Sequence, residues 1–132
     1  MIAPQINVLN AGDYYGRMAQ RREIAVALLT EAFYPRGHLT PAHVHERAYF
    51  SFALRGANDA IQNRSRMSTE TSALMFHPPG ALHAGHLRKD GGVSFFVEIT
   101  SGLFGRGNDQ IKLQQTSIAF QGGLTNCLLA KL

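Results

Sequence analysis

The histidines of this chain fall in two short segments, Gly37 to Gly56 (GHLTPAHVHERAYFSFALRG) and Phe76 to His86 (FHPPGALHAGH). His43 and His45 are two residues apart. In an extended strand such residues share a face, so the two imidazoles project together as a chelating pair must. Neutral imidazole nitrogen is a ligand for zinc, iron, nickel, copper and manganese. His83 lies just after the turn Pro78-Pro79-Gly80 and can close the site from a neighbouring strand. The metal set read from the sequence is therefore His43, His45 and His83, with water completing the shell. The competing reading is a set of histidines hydrogen-bonded inside the fold without any metal.

Two charged residues belong to the same reading. Arg47 has the parity of His43 and His45; on an unbroken strand it enters the pocket and binds an anion. At the strand's end it instead sits in water beside Glu46. Glu98, a lone carboxylate in the apolar run VSFFVEI, either pairs with an arginine or reaches into the pocket, because buried acids need a partner. His77 is assigned a packing or surface role. His86, at odd separation from His83, faces the other way unless a bulge intervenes. His38, in a glycine turn, is assigned to solvent. No Ser/His/Asp or Cys/His nucleophile arrangement is visible, and no glycine-rich phosphate loop leads into a helix.

The elements that must carry these residues are short strands. Turn clusters recur at Asn10-Ala11-Gly12-Asp13, Pro35-Arg36-Gly37, Arg55-Gly56, Pro78-Pro79-Gly80 and Asp90-Gly91-Gly92. Between them, Glu23 to Phe33 reads as one buried strand. Ala48 to Arg55 alternates, with Phe50, Phe52 and Leu54 on one face and Tyr49, Ser51, Ala53 and Arg55 on the other. Ala73 to His77 and Val93 to Ile99 are further strands. Many short strands between turns imply a mainly β sandwich or barrel in one domain over residues 1–132, its core at about 11–100. The tail, about 117–132, reads as a helix with Leu124, Cys127, Leu128 and Leu132 on one stripe. It runs to Leu132 with no stop signal, which suggests that the natural polypeptide continues.

Composition sets the bounds. A chain of 132 residues, 45% hydrophobic and 17% charged, can bury a core without staples. No signal peptide and no membrane-spanning apolar run is apparent, and Cys127 is the single cysteine, so a cytoplasmic location is expected. The net charge of +4 comes from scattered arginines rather than a basic helix, so specific DNA binding by this chain is not expected.

The two histidine segments resemble the cupin superfamily. Gly37, His43, His45 and Gly56 match its first motif; Pro78, Gly80 and His83 match its second. The resemblance spans roughly Ala11 to Thr100 and implies a cupin-type β-barrel, or jelly roll, with the C-terminal helix appended. Where that family has its glutamate ligand this chain has Tyr49, and the family's asparagine falls near Leu87. The resemblance thus implies a site of three histidines without a carboxylate, suited to zinc, iron, nickel or manganese, or else a degenerate site in which Tyr49 fills the metal's space. Within the superfamily, HVHERAYFSFALRG, ALMFHPPGALHAGHL, FFVEIT and AGDYYGR are similar to the N-terminal ligand-sensing domain of AraC-type transcriptional regulators. GGLTNCLLAKL is similar to the start of their helical connector.

That likeness implies a small-molecule-sensing domain with a pocket formed by His43, His45, Arg47, Tyr49, His83 and Glu98, acting as a homodimer through the C-terminal helix. No DNA-binding helix-turn-helix is present in this chain. The alternative is a free-standing metal-dependent enzyme of dioxygenase or isomerase type using the three histidines; the missing glutamate argues against it. A third reading is a non-catalytic dimeric binding protein with no part in DNA regulation.

Overall fold

Strand-forming runs between positive-φ glycines assemble into two facing sheets in a computed structural model that describes residues 5–62, 65–69, 73–87, 90–100 and 118–120. In chain order the strands are β1 Asn7–Leu9, β2 Arg17–Ile24, β3 Ala27–Tyr34, β4 Leu39–His45, β5 Tyr49–Arg55, β6 Asn58–Gln62, β7 Ser65–Thr69, β8 Leu74–His77, β9 His83–Leu87, β10 Gly92–Ile99 and β11 Ile118–Phe120. One sheet has the order β1-β4-β9-β6-β7 and the other β11-β8-β5-β10-β3-β2. The protein is mainly β, in a jelly-roll-like arrangement, and no helix occurs among the described residues.

The alternation read in Ala48–Arg55 holds in β5. Tyr49, Ser51 and Ala53 face between the sheets and line a cavity there. Phe50 and Phe52 lie on the other face, where their rings pack 5.0 Å from Phe76 and 5.1 Å from Phe95. The more apolar face of this strand thus points away from the cavity, and the smaller, more polar one points in. Between the sheets, Ala32, Tyr49 and Phe96 form a buried cluster with Tyr14 and Tyr34 packed against it.

Two expectations about the elements need correction. The run Glu23–Phe33 is not one strand. β2 and β3 pair antiparallel with Ile24 opposite Ala27, and the chain reverses through Ala25 and Val26. Neither residue is a turn former, so tertiary pairing rather than local chemistry sets this reversal. β2 is exposed at every position; as an outer strand it is guarded by Arg17, Arg21 and Arg22. The tail is not helical throughout 117–132 either. Ile118–Phe120 form β11, which pairs antiparallel with β8 and satisfies the backbone of that strand's free edge. Residues 121–132 lie outside the described residues, and with them the rest of the expected helix.

Candidate metal centre

The chelating pair is set on β4 by an irregularity. Thr40 pairs with Gly85 and His43 with His83, but the register shifts between them at Pro41 and Ala42. Proline cannot donate to a ladder, so a strand carrying one in its middle bulges there. The freed carbonyl of Pro41 accepts a hydrogen bond from His43 Nδ1 at 2.7 Å. On β9 the same device recurs: His83 Nδ1 donates to the Ala81 carbonyl at 3.0 Å. With Nδ1 protonated and turned outward on both rings, their Nε2 lone pairs point inward. The Pro-Pro-Gly turn is tied to the pair directly, because the Gly80 amide donates to the His45 carbonyl at 2.9 Å. Gly80 has φ of +74°, a conformation that side chains other than glycine's resist.

The three rings converge. One ring nitrogen from each of His43, His45 and His83 lies within 4.8 Å of the others. His43 Nε2 and His45 Nε2 are 3.1 Å apart. Two nitrogens bound to one tetrahedral zinc ion sit roughly 3.3 Å apart, so this spacing suits a shared cation. His43 and His45 are buried and His83 is half-buried. Burial, together with the neighbouring imidazoles, lowers His45 to about 3 and His83 to about 4. Burial also lowers His43, partly opposed by its bond to Pro41. All three are neutral at pH 7, the form that ligates metal. Donor type, spacing, protonation state and, at His43 and His83, tautomer fit a divalent transition ion.

The opposite wall comes from the six-stranded sheet. Tyr49 is 3% exposed and its hydroxyl lies 2.9 Å from His83 Nε2. Because that nitrogen carries the lone pair, Tyr49 donates. Burial pushes the phenol well above its ordinary range, so it stays protonated. The ring stacks on His77 at 4.4 Å between centroids, and His77 Nε2 is 3.2 Å from Ser51 Oγ. His77 is buried and its pKa is held well below normal by desolvation first and by the other histidines second. The cavity between these walls measures about 100 Å³, room for a small ligand or several waters. Tyr34, Thr40, Ser51, Asn58, Met75 and Phe96 contribute to its lining besides the rings already described.

Two expected pocket residues lie elsewhere. Arg47 is exposed and does not line the cavity; its Nη1 is 3.4 Å from the Thr100 carbonyl. β4 ends at His45, and Glu46 and Arg47 form a bend before β5 begins in the other sheet, so strand parity does not carry across. Tyr49 reaches the cavity as the first residue of a new strand. Glu98 is buried at 2% exposure yet does not line the cavity. Its carboxylate accepts from the Gly12 amide at 2.8 Å and from the Tyr14 hydroxyl at 3.1 Å, in place of the arginine expected from sequence. It thereby fixes Tyr14, whose ring stacks on Phe96 at 3.9 Å and lies 5.1 Å from His45.

The remaining histidines divide. His77 lies in the cavity wall rather than at the surface. His86 is exposed, facing away from His83. His38 is half-buried against Tyr34 rather than solvated, with Nε2 lacking a hydrogen bond. Sequence reasoning missed Tyr14, Tyr34 and Phe96. Phe96 shares parity with Glu98, and Tyr34 ends β3 in step with the buried Thr30 and Ala32; Tyr14 lies outside any strand and leaves no periodic signal.

The two-sheet fold has counterparts among solved structures. A cupin domain from Bordetella pertussis matches with a TM-score of 0.52 and 18% identity, over 68% of this chain and 100% of that one. The cupin domain of Cnp3 from Schizosaccharomyces pombe matches at 0.56 and 16%, over 64% of this chain and 60% of that one. The fold is that of the cupins. An RmlC-like cupin from Shewanella frigidimarina is similar at 0.52 and 14%, over 59% and 69% of the two chains. No family model matches the sequence, and no curated protein matches it either. Among the described residues no helix is long and apolar enough to cross a membrane.

Proposed function

We propose that this chain is a small-molecule-sensing cupin domain, the regulatory half of a regulator of the AraC type, whose ligand enters the cavity beside a metal held by His43, His45 and His83. The observation that carries this reading is the convergence of one ring nitrogen from each of His43, His45 and His83 on a small cavity in which Tyr49 stands where a carboxylate ligand would be. When bound, a divalent ion supplies a Lewis-acidic centre with an open position for an exogenous ligand. The chain's own groups do the rest. Pro41 and Ala81 carbonyls hold the tautomers, Tyr49 and His77 shape the wall, and Phe96 with Tyr14 excludes water. Iron oxidation chemistry commonly uses two histidines and a carboxylate, so three neutral ligands favour binding over turnover.

Elemental analysis of protein purified without chelator tests the metal part. The expected result is one transition metal per chain, lost in His45→Ala; its absence from the wild type contradicts the reading. Coding sequence beyond Leu132 that specifies a helix-turn-helix pair supports the regulatory part. A second reading, a metal-dependent enzyme of dioxygenase or isomerase type, draws on the same triad. A homodimer formed through the tail is proposed from the stripe Leu124, Leu128 and Leu132 alone; light scattering on the wild type and on Leu128→Asp tests it.

A further inference from the structure

The Tyr49 hydroxyl has a bond that metal loading must break. It donates to His83 Nε2 at 2.9 Å, and His83 Nδ1 is already committed to the Ala81 carbonyl. The single lone pair of Nε2 cannot both accept from a phenol and ligate an ion. Once His83 ligates, a hydroxyl on a residue only 3% exposed loses its acceptor, and a buried donor left unpaired costs on the order of 1–3 kcal/mol. A new acceptor has to come from outside the histidine set.

The charge inventory says what kind. No Asp, Glu, Lys or Arg lines the cavity among the described residues. The three imidazoles are neutral ligands, Arg47 is in solvent, and Glu98 is engaged by Gly12 and Tyr14. A divalent ion on this triad keeps its whole charge in a partly desolvated site, so an anion is favoured at the open position. The walls around that position include Tyr34, Met75, Leu87 and Phe96, which suit an apolar body.

We propose that Tyr49 is an anion-positioning residue: with the triad loaded, its hydroxyl donates to a small apolar carboxylate seated at the position the three imidazoles leave open. This rests on the triad being a metal centre and adds the chemistry of its ligand. The substitution of tyrosine for an acidic ligand moves the negative charge from the protein to the small molecule, so that occupancy by the anion completes the site.

The test uses cobalt(II) as the metal, because its visible spectrum reports the coordination shell directly. Cobalt-loaded protein is titrated with butyrate and with butyramide, its neutral isostere. The expected result is a spectral change with butyrate at a Kd at least about tenfold below that of butyramide, about 1.4 kcal/mol. In Tyr49→Phe the butyrate Kd rises about tenfold, while cobalt affinity tightens a few-fold because the competing bond to His83 is gone. A merely structural role for Tyr49 would weaken both. Equal binding of butyrate and butyramide by the wild type, or a Tyr49→Phe variant that discriminates as well as the wild type, overturns this proposal and leaves the metal centre standing. Failure of cobalt to bind the wild type overturns the metal reading and this proposal with it.

Discussion

The cavity has two walls built on different principles. The five-stranded sheet presents His43, His45 and His83, three neutral imidazoles, and in His43 and His83 the outer nitrogen is pinned by the backbone carbonyl two residues back. The six-stranded sheet presents Tyr49, His77, Ser51 and Phe96, which bond and stack mainly with one another. The first wall is preorganised to hold something; the second is a packed layer from which the Tyr49 hydroxyl bonds across to the triad. The contrast predicts that substitutions in the first wall change metal binding more than stability, and those in the second change stability more than metal binding.

Phe96→Ala should be the most destabilising change, about 3–5 kcal/mol by chemical denaturation, because it removes a ring that packs against Tyr14 and Tyr49 in the core. Retention of near-wild-type stability would break the comparison on the side of the packed wall. Glu98→Ala should cost about 2–4 kcal/mol, since it strands the Gly12 amide and the Tyr14 hydroxyl, both held by a carboxylate at 2% exposure. In His45→Ala the order reverses. Metal affinity should fall more than about 100-fold in calorimetric titration, beyond what loss of an outer partner alone causes, while the metal-free fold survives.

The pH dependence of the metal-free protein sharpens the first wall further. His45 and His83 titrate near 3 and 4 when folded, against 6.5 when exposed. The unfolded chain therefore takes up protons first as pH falls. The stability due to these neutral rings is intact above about 6.5 and is lost progressively down to about 4, where the folded rings begin to protonate. Urea unfolding at pH 7.5, 5.5 and 4.5 should show a falling midpoint at nearly constant slope. The smallest effect belongs to Arg47→Ala, within about 0.5 kcal/mol and with no change in metal or ligand binding, because the side chain is in solvent.

The first wall was legible in the sequence because its chemistry is local. A two-residue spacing puts His43 and His45 on one face, and a Pro-Pro-Gly turn delivers His83. The second wall was only half legible. Parity placed Tyr49, Ser51 and Ala53 together, but parity fails wherever a strand ends, and the bend at Glu46 and Arg47 sends Arg47 outward. Glu98 called for a buried partner, but in place of the expected arginine it has the Gly12 amide, in a turn 86 residues away, and the Tyr14 hydroxyl. The reversal at Ala25-Val26 left no local mark, since it is made by pairing between β2 and β3 and not by turn residues.

X-ray absorption at the zinc edge of zinc-loaded protein tests the central claim most directly. Three imidazole scatterers at roughly 2.0–2.1 Å and one further light-atom ligand are expected, with the imidazole count falling to two in His83→Gln. A shell with fewer than three imidazoles in the wild type, or one unchanged in that variant, would contradict a centre built from His43, His45 and His83.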